Sequence, residues 1–262
     1  MITSFLLPFL FLGAADCHPV PGADRLWAPS TRYVVVGEVH GTNETPAALA
    51  NLACLAAESG RPVTVALEYD ADTQPVIDAW MRSDGSAAAR TALLAMPFWH
   101  RDFQDGRSSV AFLRLFEQLR RLKQAGRIQA VVASDAADVA DGKSWDAGMA
   151  QAWQHAVPAP NGLVLVLVGN LHAMRQKRDG FDLVPATSFL PRDQTVTINA
   201  VGDGGEVWTC QQDGCGMHGS GATRGVPEGM VTVSDPAESW DVQYNLGCPT
   251  TAAVPAVPQR GG

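Results

Sequence analysis

Two carboxylates and two imidazoles stand directly after apolar runs in this chain of 262 residues. Val34-Val35-Val36 leads into Gly37-Glu38-Val39-His40-Gly41, Val63-Thr64-Val65-Ala66-Leu67 into Glu68, and the run from Leu163 to Val168 into Gly169-Asn170-Leu171-His172. Taken singly, a glutamate after a strand is a solvated loop residue and a lone histidine is a hydrogen-bonded core group. Three apolar runs ending the same way point to a shared polar site. A neutral imidazole near pH 7 is suited to take a proton from water, with a carboxylate to orient it. His40 is read as that base, Glu38 or Glu68 as its partner, and His172 as an acid or a holder of the leaving group. Arg107, just before a helix start, is placed to hold a substrate carboxylate or a developing oxyanion. On this reading His40 and Glu68 serve activity and not folding. Glu38, His40, Glu68 and His172 also make an alternative ligand set for a divalent metal ion, although the chain has no H-E-x-x-H helix. No serine lies in a G-x-S-x-G context, which excludes the usual serine hydrolase.

Those side chains meet only if the runs are neighbouring parallel strands, because ligands of open α/β sheets bind just beyond the strands' carboxyl ends. Strands are expected at Tyr33–Val36, Val63–Leu67, Ile128–Ala133 and Leu163–Val168. Helical stretches separate them at Pro46–Glu58, Thr73–Met81, Ser109–Lys123 and Trp145–Ala156. Strands apolar on both faces and alternating with helices predict an α/β fold, a mostly parallel sheet flanked by helices on both faces. From about residue 190 the chain turns β-rich and Gly-rich, with strands at Thr195–Ala200, Val207–Cys210 and Met230–Val233. This C-terminal extension, 190–251, is read as part of the same sheet or as a flap over it. Gly37, Gly41 and Gly169 are expected to permit sharp turns and close approach.

The domain organisation follows: a signal peptide over 1–15, one catalytic-type domain over 16–251 and a flexible tail over 252–262. The apolar run from Phe5 to Ala15 is too short to span a bilayer, and Gly13 and Ala15 suit cleavage after Ala15. The mature chain is expected to be periplasmic or secreted, without a transmembrane segment. A formal net charge of −8 and 46% apolar residues exclude a nucleic-acid groove and global disorder. Of the cysteines, Cys54 reads as a small core residue, and Cys210–Cys215 as the most economical disulfide after export. A zinc site at Cys210, Cys215 and His218 lacks a fourth ligand. Cys17 raises the question of lipidation, with Asp16 standing where such signals need a small residue. His100 and His155 read as structural or surface residues, and His18 and His218 as exposed.

Gly37-Glu38-Val39-His40-Gly41, Ala66-Leu67-Glu68 and Gly169-Asn170-Leu171-His172-Ala173 resemble the motifs of the erythromycin esterase, ChaN-like and TIKI/TraB superfamily. Asp105-Gly106-Arg107-Ser108-Ser109 and Asp146-Ala147-Gly148-Met149-Ala150 resemble further segments of bacterial members, with Trp145 where the resemblance leads one to expect arginine. Trp240 to Thr251 extends the likeness, which covers most of residues 31–251. It implies a hydrolase of an ester, lactone or amide, acting on a small-molecule or peptide substrate. ChaN-like members imply the alternative, a haem- or metal-binding exported protein without hydrolytic activity, for which Tyr69 is the best axial ligand. TIKI members imply metal-dependent proteolysis. Fold-level kinship does not choose among these.

Overall fold

A strand covered on both faces has no polar side, and the valine-rich run of β1 (Tyr33–Glu38) is buried at all of its positions. A computed structural model describes residues 17–135, 144–177, 180, 182–212, 214–235 and 237–258. The signal peptide expected over 1–15 and the last residues of the expected tail, 259–262, lie outside the described residues. The further strands are β2 (Val63–Asp70), β3 (Ala130–Asp135), β4 (Leu163–Gly169), β5 (Thr195–Val201), β6 (Glu206–Gln211), β7 (Gly214–Gly219), β8 (Gly229–Thr232) and β9 (Val242–Asn245). The helices are α1 (Glu44–Glu58), α2 (Gln74–Arg82), α3 (Ala87–Leu94), α4 (Val110–Gln124) and α5 (Trp145–His155).

Seven strands form one sheet in the order β3-β2-β4-β1-β5-β9-β8. All its pairings are parallel except β8 with β9. From β1 the chain steps outward to β2 and then β3, and returns to insert β4 beside β1. Right-handed crossovers therefore place α1 to α4 on one face and α5 on the other. On the first face Leu49, Leu52, Ile77, Leu93, Phe112 and Leu115 pack against Val34, Val36, Leu165 and Leu167. On the second, Met149, Ala150 and Trp153 pack against Val35, Val164, Val166 and Val168. Ser109 and Ser144 cap α4 and α5, each side-chain oxygen accepting the backbone N–H three residues on. Among the described residues no helix is long and apolar enough to cross a membrane.

The C-terminal region is both extension and flap. β5, β9 and β8 continue the sheet, while β6 and β7 form a separate antiparallel hairpin. Neither β7 nor β9 stood out in the sequence, and in β7 three glycines depress β propensity. β3 begins two residues later than expected and runs on to Asp135, with Ile128 buried just ahead of it. Against it β2 carries a bulge: Leu67 pairs Ala133 and Asp70 pairs Asp135, so Glu68 and Tyr69 stand opposite Ser134 alone. Bulges re-aim side chains beside functional sites.

Two expectations change and one, the Cys210–Cys215 disulfide, is met. Cys54 is not a free core thiol but is bonded to Cys17, which also withholds that sulfur from a lipid. Cys210 and Cys215 face each other across β6 and β7 and are bonded, so their sulfurs are not available as zinc thiolates. The stretch read as a flexible tail packs closely as far as it is described. Ala253 is fully buried, its N–H donates to Gly41 O (2.8 Å), and Ala256 N–H donates to Ser108 O (2.9 Å). Small apolar residues let this strap lie against the loops that carry the polar site.

Candidate active site

The loops at the carboxyl edge of β1, β2 and β4 converge. Glu38 ends β1, Glu68 lies on the bulge of β2, and Gly169 ends β4. Asn170 N–H donates to Glu38 O (2.9 Å). A side chain at Gly37 would place its Cβ 2.8 Å from Asn170 Cα, so the bare backbone is what admits the turn carrying His172. Gly41 has φ +95° and lies so close to Gly106 that a Cβ on Gly106 would stand 2.2 Å from Gly41 Cα. That contact brings Asp105 and Arg107 onto the edge.

His40 presents one ring nitrogen to each carboxylate: Nδ1 is 2.9 Å from Glu38 Oε1 and Nε2 is 3.4 Å from Glu68 Oε2. Glu68 is held independently, for Arg107 Nη1 donates to its Oε1 (2.7 Å) and Gly169 N–H to its Oε2 (2.7 Å). Arg107 in turn donates from Nε and Nη2 to Asp105 Oδ2 at 3.1 and 2.8 Å, and its Nη1 lies 3.5 Å from Asp135 Oδ2. On the other side of Gly169, His172 Nδ1 meets Asp146 Oδ1 at 2.9 Å. A Cβ at Gly169 would be 3.2 Å from His40 Nε2, 3.4 Å from His172 Cδ2 and 3.6 Å from Glu68 Oε2. Both imidazoles and the Glu68 carboxylate thus face the bare backbone of Gly169.

Burial and the charges of neighbouring groups together set the protonation states. Burial works against a charged His40, but Glu68 and Glu38 outweigh it and raise its pKa to about 10. Burial would raise Glu68, yet His40, Arg107 and the Gly169 N–H bring it down to about 2. Glu38 is pushed up by burial, only partly offset by His40, and its Oε2 has no hydrogen-bond partner among the described residues. Asp135 is pushed up to about 6 by burial and by Glu68. Burial opposes a charged His172, and its hydrogen bond to Asp146 outweighs that and raises its pKa.

No family model and no curated protein matches the chain. Among solved structures, a mutant of the erythromycin esterase EreC in its open conformation superposes with a TM-score of 0.66 at 12% identity, over 88% of this chain and 93% of that one. The chain has the erythromycin esterase fold. A succinoglycan biosynthesis protein aligns with a TM-score of 0.61 at 10% identity, over 88% of this chain and 90% of its own. The type III effector HopBA1 aligns at 0.52 and 15% identity, over 90% of this chain and 98% of its own. The resemblance read from the motifs thus holds at the level of the fold, and identities this low speak to nothing finer.

Within this fold Glu38 and Glu68 both contact His40, and His172 stands across Gly169 from them. Arg107 is placed differently from the sequence reading. Its guanidinium is engaged by Glu68 and Asp105, so it positions Glu68 and offers little to a substrate anion. Asp105, Asp135 and Asp146 were not read as site residues. Asp135 carried the signal used for Glu68, a carboxylate after an apolar run, and extending that run by two residues exposes it. Asp146 and Asp105 lay inside segments noted for resemblance alone.

The metal alternative does not fit. Glu38 and Glu68 approach His40 from its two ring nitrogens, so the carboxylates and the imidazole do not converge on one point. Among the described residues the one ligand-like cluster is Cys17, Cys54 and Glu58, whose sulfurs are bonded to each other. Nor is Tyr69 free to bind haem. It is fully buried, packs on Phe98 and Phe116, and its hydroxyl donates to Arg107 O (2.5 Å). His100 is structural, its Nε2 2.8 Å from Leu94 O.

Proposed function

We propose that this chain hydrolyses an ester, lactone or amide by attack of water between His172 and His40, beside Gly169. What supports the reading above all is the pair of differently prepared imidazoles that face Gly169. His172 has Nδ1 committed to Asp146, which leaves Nε2 as the proton acceptor, the arrangement of a carboxylate-oriented base. His40 has both nitrogens on carboxylates and a pKa near 10, so at neutral pH it carries a proton. The roles read from the sequence are thereby exchanged: His172 takes the proton from water, and His40 faces the charge that develops on the carbonyl oxygen. The Nε2 contact of His40, at 3.4 Å, is longer than a tight charge-assisted hydrogen bond, so that N–H is the one available to a substrate oxygen. The water oxygen bonds to the carbonyl carbon, the bond to the leaving oxygen or nitrogen breaks, and the proton held by His172 passes to the leaving group. Two disulfides support an exported setting, since such bonds persist in oxidising compartments.

The test is a screen of ester, lactone and amide substrates, with and without a chelator. Turnover is expected to survive chelation and to follow a bell-shaped pH profile. It should rise through the raised pKa of His172, above 6.5, and fall as His40 loses its proton near 10. His172→Asn should lower turnover by about two to four orders of magnitude and remove the rising limb. Near-normal turnover in His172→Asn, or loss of activity on chelation, would overturn this assignment.

A further inference from the structure

Single exposed apolar side chains are ordinary on a protein surface, and a group of them around a polar site is not. Nine large hydrophobic side chains are exposed among the described residues, and four of them border the site in sequence. Val39, 54% exposed, lies between Glu38 and His40; Leu171, 39%, precedes His172; Trp145, 47%, precedes Asp146; and Phe103, 61%, is two residues before Asp105. Trp145 also lies beside the site in space. Its ring centroid is 6.3 Å from that of His172, and its side chain also reaches the Asp135 carboxyl. The indole is thus fixed beside the proton acceptor with nearly half of its surface open.

Charge narrows what this surface accepts. Glu38, Glu68, Asp105, Asp135 and Asp146 surround the two histidines and Arg107, whose guanidinium is already bound by Glu68 and Asp105. A carboxylate on the substrate would meet these acids, with the charge of His40 shared between Glu38 and Glu68 and that of Arg107 between Glu68 and Asp105. We infer that Trp145, with Leu171 and Val39, is a specificity surface of the site and selects uncharged substrates whose acyl group is large and apolar. This inference rests on the hydrolase reading. The acyl chain or ring covers the exposed indole while the carbonyl sits beside Gly169. Burial of that apolar area on binding supplies the discrimination.

The experiment compares p-nitrophenyl decanoate with p-nitrophenyl acetate. Wild type is expected to favour the decanoate by ten-fold or more in kcat/KM. Trp145→Ala is expected to cut the decanoate-to-acetate ratio at least ten-fold, mainly through KM, while Trp145→Phe retains most of it. Equal losses on both esters, with an altered pH profile, would mean that Trp145 merely holds His172 and Asp135, and would overturn the inference. So would a wild-type ratio near one. If wild type turns over neither ester, the hydrolase reading fails for esters, and the surface is then read by calorimetric titration with N-methyldecanamide, whose decanoyl chain lies on the acyl side. Binding by wild type that is lost in Trp145→Ala sustains the apolar surface, and absence of binding refutes it.

Discussion

His40, sandwiched between Glu38 and Glu68, makes activity and stability hard to separate at this site. The sequence reading expected His40 and Glu68 to matter for activity and not for folding, as for a catalytic group at a solvated strand end. Glu68 is instead only 5% exposed and carries hydrogen bonds from Arg107 and Gly169. Removing one member of a buried ion pair costs about 3–5 kcal/mol, because its partners stay buried and uncompensated. The pH dependence follows from the two shifts. The Glu68 pKa falls from 4.5 to about 2, so its stabilisation is complete above 4.5 and lost as pH drops towards 2. The His40 pKa rises from 6.5 to about 10, so its stabilisation is complete below 6.5 and lost as pH climbs through 10. Thermal midpoints of wild type should peak between these limits. Glu68→Gln should lower that peak and flatten both flanks, because His40 loses its strongest partner. Parallel Tm–pH curves for the two proteins would show that Glu68 is not coupled to His40.

At the level of elements, the site is held by loops that touch through bare backbone. Trp208 N–H on the β6–β7 hairpin donates to Gly41 O (2.8 Å), and its indole donates to Gln104 O (2.9 Å). A Cβ on Gly41 would stand 1.8 Å from Trp208 O, at φ +95°, whereas one on Gly60, at φ +74°, would meet nothing within 4 Å. Gly60→Ala therefore reports the backbone cost alone, about 1 kcal/mol, and Gly41→Ala adds displacement of the hairpin next to His40. A larger loss of Tm and of turnover in Gly41→Ala is expected; equal, small losses in the two variants would refute the docking. The sequence showed the parts of this arrangement that repeat. Strands buried on both faces appear as valine-rich runs, and the polar residues after β1, β2 and β4 stand out against them. It did not show the bulge that turns Glu68 towards His40, which depends on how β2 pairs with β3 and leaves no local mark. The glycine-rich β7 was hidden for a related reason, since its strand geometry comes from pairing with β6 and not from side chains that favour extension. Residues 252–258 looked like a loose end because contact with Gly41 and Ser108 is a tertiary fact that composition does not carry.

For the molecule as a whole, the sheet and its helices supply an apolar core on each face, and the two disulfides differ in what they add to the fold. Cys210–Cys215 spans 5 residues and fixes a hairpin that is already paired. Cys17–Cys54 spans 37 residues and ties the first described residues to α1, so the unfolded chain loses far more freedom to it. Closing a loop of that length contributes about 3–4 kcal/mol in the chain-entropy account, equivalent to roughly 6–15 °C in Tm for a domain of this size. Cleavage after Ala15 would leave Cys17 as the second residue of the mature chain, where it meets Cys54 in an oxidising compartment. Mass spectrometry of the native protein is thus expected to find Asp16 at the amino terminus. Non-reducing peptide maps should recover Cys17 with Cys54 and Cys210 with Cys215, leaving Cys248 as a thiol. Cys54→Ala, a small change at a nearly buried position, should lower Tm by the amount given above, and Cys215→Ala by much less. Recovery of intact Met1 from the cytoplasm, with every cysteine open to alkylation, would remove export and the disulfides together. A folded, active protein in that state would show that the core and the buried charge network suffice without either bond.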